Sequence, residues 1–288
     1  MAKSVSFKKR VVVFAIAALF CVFMIISFWQ GIIIREYTQT SELVTDKIKV
    51  ALITDLHSTF YGKNQKKLIS KINGYSPDLI LLAGDIADDE IPHDGTKALL
   101  SQIADSYPCY YVTGNHEFWT YEIEAIKEMI SSYGVNILCG ETTTVKIGSQ
   151  TVTLAGVDDP VGLFDENEAY LPKTEVPRRW KEQLEAVVEE NNGENFSILL
   201  SHRPEQAELY SKSGFDLVVS GHAHGGQVKI PFLINGLYAP NQGFFPEYAG
   251  GVYDLGKTDM VVSRGLCVDN KPRVFNPPEL VFINIEPK

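Results

Sequence analysis

Five apolar runs that each end in metal-binding side chains constrain the fold of this chain more than any other sequence feature. The runs cover residues 48–54, 78–84, 110–113, 196–201 and 217–220. The side chains at or just after their ends are Asp55, His57, Asp85, Asn115, His116, His202, His222 and His224. Such runs are typical of buried strands in parallel or mixed sheets, whose carboxyl ends meet at one edge. We therefore expect these side chains to lie close together.

The segments between the runs have the spacing of amphipathic helices. We predict helices near residues 64–73, 98–103, 121–132, 177–191 and 204–212. A β-hairpin is predicted at residues 142–157, and late strands at 260–263 and 280–285. Strands that alternate with helices indicate an α/β domain with a parallel or mixed sheet. We place one catalytic domain at residues 48–288.

The amino-terminal segment predicts a membrane helix. Residues 11–34 carry no charged side chain, and a helix of that length spans about 36 Å, enough to cross a ~30 Å hydrocarbon core. We predict a basic segment at residues 1–10, a transmembrane anchor at 11–34 and a polar tether at 35–47. A cleaved signal peptide is the alternative, but residues 27–31 are bulky and lack a small-x-small cleavage site.

Charge and cysteine content narrow the function further. Basic residues slightly favour an amino terminus inside the cell, which predicts a single-pass cell-membrane protein with an extracytoplasmic catalytic domain. The formal net charge of −10 argues against nucleic acid as a partner, since phosphates are repelled. The cysteines, which are Cys21, Cys109, Cys139 and Cys267, show no C-x-x-C spacing. We expect neither a disulfide framework nor a thiolate metal site.

The candidate ligands predict a centre with two divalent metal ions. They are Asp55, His57, Asp85, Asn115, His202, His222 and His224. Oxygen and imidazole ligands favour Mn, Fe, Zn, Co or Mg over copper or an iron–sulfur cluster. Seven ligands exceed the needs of one tetrahedral zinc, whereas two ions that share a carboxylate fit. Ions ~3.5–4 Å apart support in-line displacement at phosphorus, so the predicted chemistry is phosphoester hydrolysis.

The order of these motifs carries a family resemblance. Asp55-Leu56-His57, Gly84-Asp85, Gly114-Asn115-His116-Glu117, His202 and Gly221-His222-Ala223-His224 together resemble the calcineurin-like metallophosphoesterase family. The resemblance implies a metallophosphoesterase sandwich, in which two packed mixed β-sheets are flanked by helices, here preceded by one transmembrane helix.

The resemblance also implies a role for each site residue. One ion is expected on Asp55, His57 and His224, and the other on Asn115, His202 and His222. Asp85 is expected to bridge the two ions. His116 is expected near the leaving-group oxygen, where it stabilises the transition state or protonates the departing alkoxide. We expect Asp88 to orient His116, with Asp89 and Glu90 as neighbouring alternatives.

Further motifs are similar to a branch of bacterial membrane-associated phosphoesterases, some of them similar to UDP-diacylglucosamine pyrophosphatases. The motifs are Ser201-His202-Arg203-Pro204, Gly225-Gly226-Gln227, residues 239–246 and Ser263-Arg264-Gly265-Leu266. Cys267 departs from the branch, where glycine is common, and this puts the substrate loop in question but not the metal site. Two readings stay open for Tyr238, Phe244, Phe245 and Tyr248, which either belong to the core or form a lipid-facing lip.

The leading hypothesis is a membrane-anchored phosphoesterase that hydrolyses a phosphomonoester or phosphodiester with a metal-bridging hydroxide. The anchor suggests a lipid- or envelope-linked substrate. One alternative is a UDP-sugar-lipid pyrophosphate hydrolase at the inner face of the membrane. Another is a catalytically silent, metal-stabilised binding module, which His116 argues against because a scaffold needs no leaving-group acid. A dinuclear amidohydrolase is disfavoured because its first strand is expected to end in His-x-His.

Overall fold

Two six-stranded sheets lie face to face in the computed structural model, which describes residues 7–164, 168, 175–268 and 272–288. The first sheet has the order β1 (Ile33–Ser41), β14 (Glu279–Pro287), β2 (Ile48–Ile53), β3 (Leu79–Ala83), β4 (Cys109–Val112) and β5 (Asn136–Ile137). The second has the order β12 (Gly251–Asp254), β13 (Asp259–Val262), β9 (Leu217–Ser220), β8 (Phe196–Leu200), β7 (Gln150–Gly156) and β6 (Glu141–Ile147). A short pair, β10 (Tyr238–Ala239) and β11 (Gly243–Phe244), lies outside both sheets.

Both sheets are mixed, which confirms the predicted fold class. Strands β2 to β5 run parallel, and β14 pairs antiparallel with β2 and parallel with β1. Strands β7, β8, β9 and β13 run parallel, while β6 and β12 are antiparallel edge strands. The central strands are apolar throughout because both of their faces are covered.

Apolar side chains fill the space between the sheets. Leu52 and Leu81 of the first sheet share one buried cluster with Leu154 and Val219 of the second. Two further clusters lie on the outer faces, beneath the helices. This packing fixes the two sheets relative to each other, and with them the loops that follow β2, β3, β4, β8 and β9.

The described residues form the helices α1 (Phe7–Ser27), α2 (Lys66–Tyr75), α3 (Asp94–Ile103), α4 (Asn115–Trp119), α5 (Ile123–Ser131), α6 (Arg178–Glu190) and α7 (Ala207–Tyr210). Helix α1 is exposed along almost its whole length. Helices α2, α3, α5 and α6 each bury one stripe of apolar side chains, as Trp180 and Leu184 do on α6. The predicted helix at residues 204–212 is shorter than expected, since a 3₁₀ turn at Pro204–Gln206 precedes α7.

The amino-terminal region differs from the sequence prediction in its boundaries. The apolar helix covers Phe7–Ser27 instead of residues 11–34. Residues 33–41, assigned to the anchor and the polar tether, form the edge strand β1. From Glu36 to Ser41 its side chains alternate between exposed and partly buried, since an edge strand needs only one partly buried face. Because most of these side chains are polar, the sequence shows no clear strand pattern.

Candidate metal centre

The strand ends that precede the site have unusual backbone conformations. Asp55, His57, Asp85, His222 and His224 all have positive φ angles, between 46° and 64°. Non-glycine residues rarely adopt this left-handed conformation, and each instance costs about 1–3 kcal/mol. Backbone hydrogen bonds keep the loop in this strained conformation. The amides of Asp55 and His57 donate to Gly84 O and Asp85 O at 3.0 Å each.

The structure brings six of the seven predicted ligands into two groups, and Asn115 directly follows Gly114, whose α-carbon lies close to Asp85. Asp55, His57, Asp85 and His224 offer ligand atoms that lie within 4.8 Å of one another, and Asp85, His202 and His222 form a second such group. Asp85 belongs to both groups. Its Oδ2 lies 3.1 Å from His202 Nε2 and 3.5 Å from His57 Nε2.

Atoms without hydrogen-bond partners face this centre. Within the described ranges, Asp55 Oδ2, Asn115 Oδ1 and His57 Nε2 are buried and make no hydrogen bond. Asp85 Oδ2 and His202 Nε2 are buried as well and have only each other as an ion-pair partner within 3.1 Å. A buried polar atom left unpaired costs about 1–3 kcal/mol, so these atoms fit a site that divalent cations complete, and their nitrogen and oxygen chemistry suits Mn, Fe, Zn, Co or Mg.

The protonation of the histidines agrees with metal binding. Burial lowers the pKa of His222 and of His224 well below its usual range, so both rings are neutral, which is the form that coordinates a metal. Burial also disfavours the charged form of His202, but Asp85 and Asp55 raise its pKa to about 10. A bound cation therefore competes with a proton at this position.

Asp88 contacts a predicted metal ligand, which corrects the role expected for it. Its Oδ2 accepts a hydrogen bond from Nδ1 of His57 at 2.7 Å. Nδ1 of His116 instead donates to Asp89 Oδ1 at 2.5 Å and lies 3.8 Å from Asp88. Adjacent carboxylates cannot be assigned to two histidines by spacing alone, because the turn after Asp85 decides which one each ring meets.

In the sequence, Glu117 stands out only as the last residue of its motif. It is buried, and its carboxylate accepts hydrogen bonds from the amides of Asp85, Ile86 and Ala87 and from that of Gly114, at 2.7–3.0 Å. One side chain thus ties the loop after β3 to the loop after β4. The pattern of apolar runs does not indicate that Glu117 accepts hydrogen bonds from four backbone amides.

Asp159 is a further site residue that the sequence analysis missed. Its carboxylate pairs with the guanidinium of Arg203, with Arg203 Nη2 at 2.8 Å from Oδ1. Arg203 Nη1 lies 2.9 Å from His222 Nε2, and Asn241 Oδ1 lies at the same distance from that nitrogen. The signal was present in the sequence, since the predicted strand at 150–157 is followed by Asp158 and Asp159.

Cys267 also lies beside the metal centre. Its sulfur is 2.9 Å from Nδ1 of His224, and together with His57 and His224 it forms a compact group of metal-type ligand atoms. The sequence predicts that the replacement of glycine by Cys267 affects only the substrate loop. That prediction is incomplete, because the structure also places Cys267 next to His224. The fold brings residues 43 positions apart into contact.

Comparison with known proteins identifies the family. A model of the calcineurin-like phosphoesterase domain matches residues 48–226. The chain belongs to the calcineurin-like phosphoesterase family. Members of this family are generally metal-dependent hydrolases, and the matched residues contain all seven predicted ligands.

Several relatives of this chain are known by sequence. An uncharacterized metallophosphoesterase of Campylobacter jejuni is 34% identical over 84% of this chain and 60% of its own length. One from Bacillus subtilis is 28% identical over 87% of this chain and 84% of its own. A transmembrane protein with metallophosphoesterase domain from Danio rerio is 26% identical over 81% of this chain and 55% of its own. The chain thus spans about three fifths of the length of its Campylobacter relative.

Proposed function

We propose that this protein is a phosphoesterase that uses two divalent metal ions to hydrolyse a phosphomonoester or phosphodiester. The observation that carries the proposal is the position of Asp85 between two ligand groups. Asp55, His57 and His224 would hold one ion and Asn115, His202 and His222 the other, with Asp85 available to both. When bound, such ions polarise the phosphoryl group and lower the pKa of water at the site.

The residues around the ligands have separate roles, which are to orient a ligand and to protonate the leaving group. Asp88 fixes the ring of His57, so that Nε2 faces the metal site. His116 is partly exposed, and its Nδ1 donates to Asp89. That hydrogen bond orients the imidazole ring, which protonates the departing oxygen through Nε2. A binding module has no use for this acid, and we therefore favour the enzyme.

We further propose that the apolar helix anchors the enzyme in the cell membrane by a single pass, with the catalytic domain outside. Helix Phe7–Ser27 is long and apolar enough to cross a membrane, and almost all of its side chains are exposed. Its end packs on the catalytic domain through Phe23 and Phe275, whose ring centres lie 5.4 Å apart.

The same face exposes large apolar side chains close to that end of the helix. Phe275 N donates to Ser27 O at the end of the helix. The neighbouring Val274 forms a β-bridge with Val228. A few residues after Val228, Phe232 and Leu233 are exposed. Phe244 and Phe245 are also exposed, at 71% and 65%. A rim of this kind beside an anchor supports a lipid- or envelope-linked substrate.

Turnover and metal content test the catalytic proposal together. The full chain in detergent is loaded with Mn²⁺, and hydrolysis of 4-nitrophenyl phosphate, bis(4-nitrophenyl) phosphate and an alkyl phosphate ester is measured. We expect Asp85→Asn to lose bound metal and turnover. His116→Asn should keep two ions per chain but lose about 10²–10⁴-fold in kcat on alkyl esters, which need an acid. Full turnover without metal, or one ion per chain in the active enzyme, contradicts the proposal.

Membrane fractionation tests the anchor. In a bacterial host, the full chain should remain in the membrane after a high-salt wash, and protease added to spheroplasts should digest a carboxy-terminal tag. The matched control lacks residues 1–27 and should be recovered in the soluble fraction. Protection of the tag until the membrane is permeabilised contradicts the proposed topology.

A further inference from the structure

A cavity of about 480 Å³ lies directly beside the metal centre. Trp119 in its wall packs against His116, with ring centres 4.7 Å apart and ring planes tilted by 60°. Arg203 and Asn241, also in the wall, both contact Nε2 of His222. The cavity therefore borders the side of the site where His116 meets the leaving group. Its volume lies within the range of about 300–1,000 Å³ typical of small-molecule sites.

Three aromatic rings form part of this wall. Trp119, Phe164 and Tyr238 line the cavity and keep 44%, 37% and 47% of their surface exposed. Core aromatic residues are buried, as Trp180 and Phe215 are in this protein, so packing does not account for these three. Aromatic faces carry negative potential and attract cations placed over them.

The charged groups of the cavity are mainly acidic. Among the described residues, Glu168, Glu175 and Glu205 line it together with one base, Arg203. The Arg203 charge is already balanced by its ion pair with Asp159. The cavity thus repels a second anionic group and favours a positive one.

Glu205 is the acid whose surroundings point most directly to a cationic ligand. Its side chain is 10% exposed, and its Oε1 lies 3.6 Å from Arg203 Nη1. Its Oε2 is buried and accepts no hydrogen bond from any described residue. Burial raises the pKa of this carboxyl group, and a nearby ammonium group relieves that cost by pairing with the charged form.

We propose that this cavity selects esters whose leaving alcohol carries an ammonium or quaternary ammonium group. The inference rests on the proposed phosphoesterase function and names its substrate class. In the reaction, water oxygen bonds to phosphorus, the bond from phosphorus to the alcohol oxygen breaks, and His116 protonates that oxygen. The products are the amino alcohol and a phosphate. The aromatic walls surround the cationic head while Glu205 balances its charge.

A pair of isosteric substrates tests this inference with the full-length, Mn²⁺-loaded enzyme. Choline phosphate and 3,3-dimethylbutyl phosphate have the same shape, but only the first has a charged leaving group. We expect kcat/KM for choline phosphate to be higher by at least about tenfold, as desolvated cation–π contacts and an ion pair allow. Equal values, or a preference for the neutral ester, overturn the inference.

Variants locate the effect in the cavity. Glu205→Gln and Trp119→Leu should each lower the preference for choline phosphate over the neutral ester at least about threefold. The matched control is Glu208→Gln, which removes the same charge from an exposed residue paired with Lys212 and should keep the preference. An unchanged preference in both cavity variants overturns the inference.

Binding of the free alcohols separates this inference from the proposed activity. Choline and 3,3-dimethylbutanol are titrated into the wild-type enzyme and followed by tryptophan fluorescence. Tighter binding of choline, lost in Glu205→Gln, supports the cationic cavity even if no ester is hydrolysed, an outcome that removes the phosphoesterase proposal alone. Equal binding of the two alcohols removes the cavity assignment even if both esters are hydrolysed.

Discussion

The sulfur of Cys267 lies 2.9 Å from Nδ1 of His224, on the opposite side of the ring from Nε2, which lies 3.5 Å from Asp55 Oδ1. In the tautomer whose Nδ1–H donates to the sulfur, Nε2 keeps its lone pair for a metal ion. The guanidinium of buried Arg273 donates to Cys267 O at 3.0 Å and holds this residue in place. A thiol thus takes the orienting role that a carboxylate or carbonyl has in many metal sites.

Replacement of Cys267 tests this contact. Cys267→Val keeps the approximate volume but removes the acceptor, and metal affinity should fall about 10–100-fold. Cys267→Ser retains an acceptor and should lose less. Mn²⁺ titration with metal analysis measures both, and Cys109→Val, in buried strand β4, is the control for the loss of a buried thiol. Wild-type affinity in Cys267→Val contradicts the orienting role.

The neighbouring carboxylates Asp88 and Asp89 should have separable effects. Asp88→Asn weakens the hold on His57, so we expect metal affinity to fall about 10–100-fold. Asp89→Asn leaves the ligands untouched but removes the partner of His116. It should lower kcat for alkyl esters about tenfold or more and spare nitrophenyl esters, whose leaving groups need little protonation. Metal titrations of both variants and kcat for both ester types are the measurements. Loss of metal affinity in Asp89→Asn, with loss of alkyl-ester kcat alone in Asp88→Asn, contradicts the proposed pairing.

Glu117 should be essential for the stability of the site loops. Glu117→Ala removes the acceptor of four backbone amides, and we expect unfolding free energy to fall by roughly 3–5 kcal/mol, since each buried donor left unpaired is costly. Denaturant unfolding of the metal-depleted protein measures this without a contribution from bound metal. Glu124→Ala, on the exposed face of α5, is the control, and equal losses in both variants would argue against the bracing role.

Gly221 lets the backbone approach a metal ligand closely. A Cβ atom at this position lies 2.5 Å from Asp55 Oδ2, closer than van der Waals contact allows. Gly221→Ala should displace Asp55 and reduce metal affinity at least about tenfold. Gly74→Ala serves as control, because no atom lies within 4 Å of the added Cβ in helix α2 and alanine favours helix. Metal titrations of both variants are the measurement, with unchanged binding in Gly221→Ala as the contrary result.

Much of the fold follows from local sequence patterns. Runs such as Leu79–Ala83 are apolar at every position, which only a strand covered on both faces requires, and the helical stripes between them leave few alternatives. Residues 33–41 escaped prediction because an edge strand is specified by its partner, here the parallel strand Glu279–Pro287. Its own side chains are mostly polar.

The sequence by itself determined the ligand types and their attachment to strand ends, because a side chain that follows a buried strand must emerge at its carboxyl edge. Only the tertiary structure decided the partners of those ligands. Asp88 pairs with His57, Asp89 with His116 and Cys267 with His224. Small differences in loop conformation decide these pairings. Those conformations result from two sheets packed together, an interaction between residues far apart in the chain, and no local pattern encodes it.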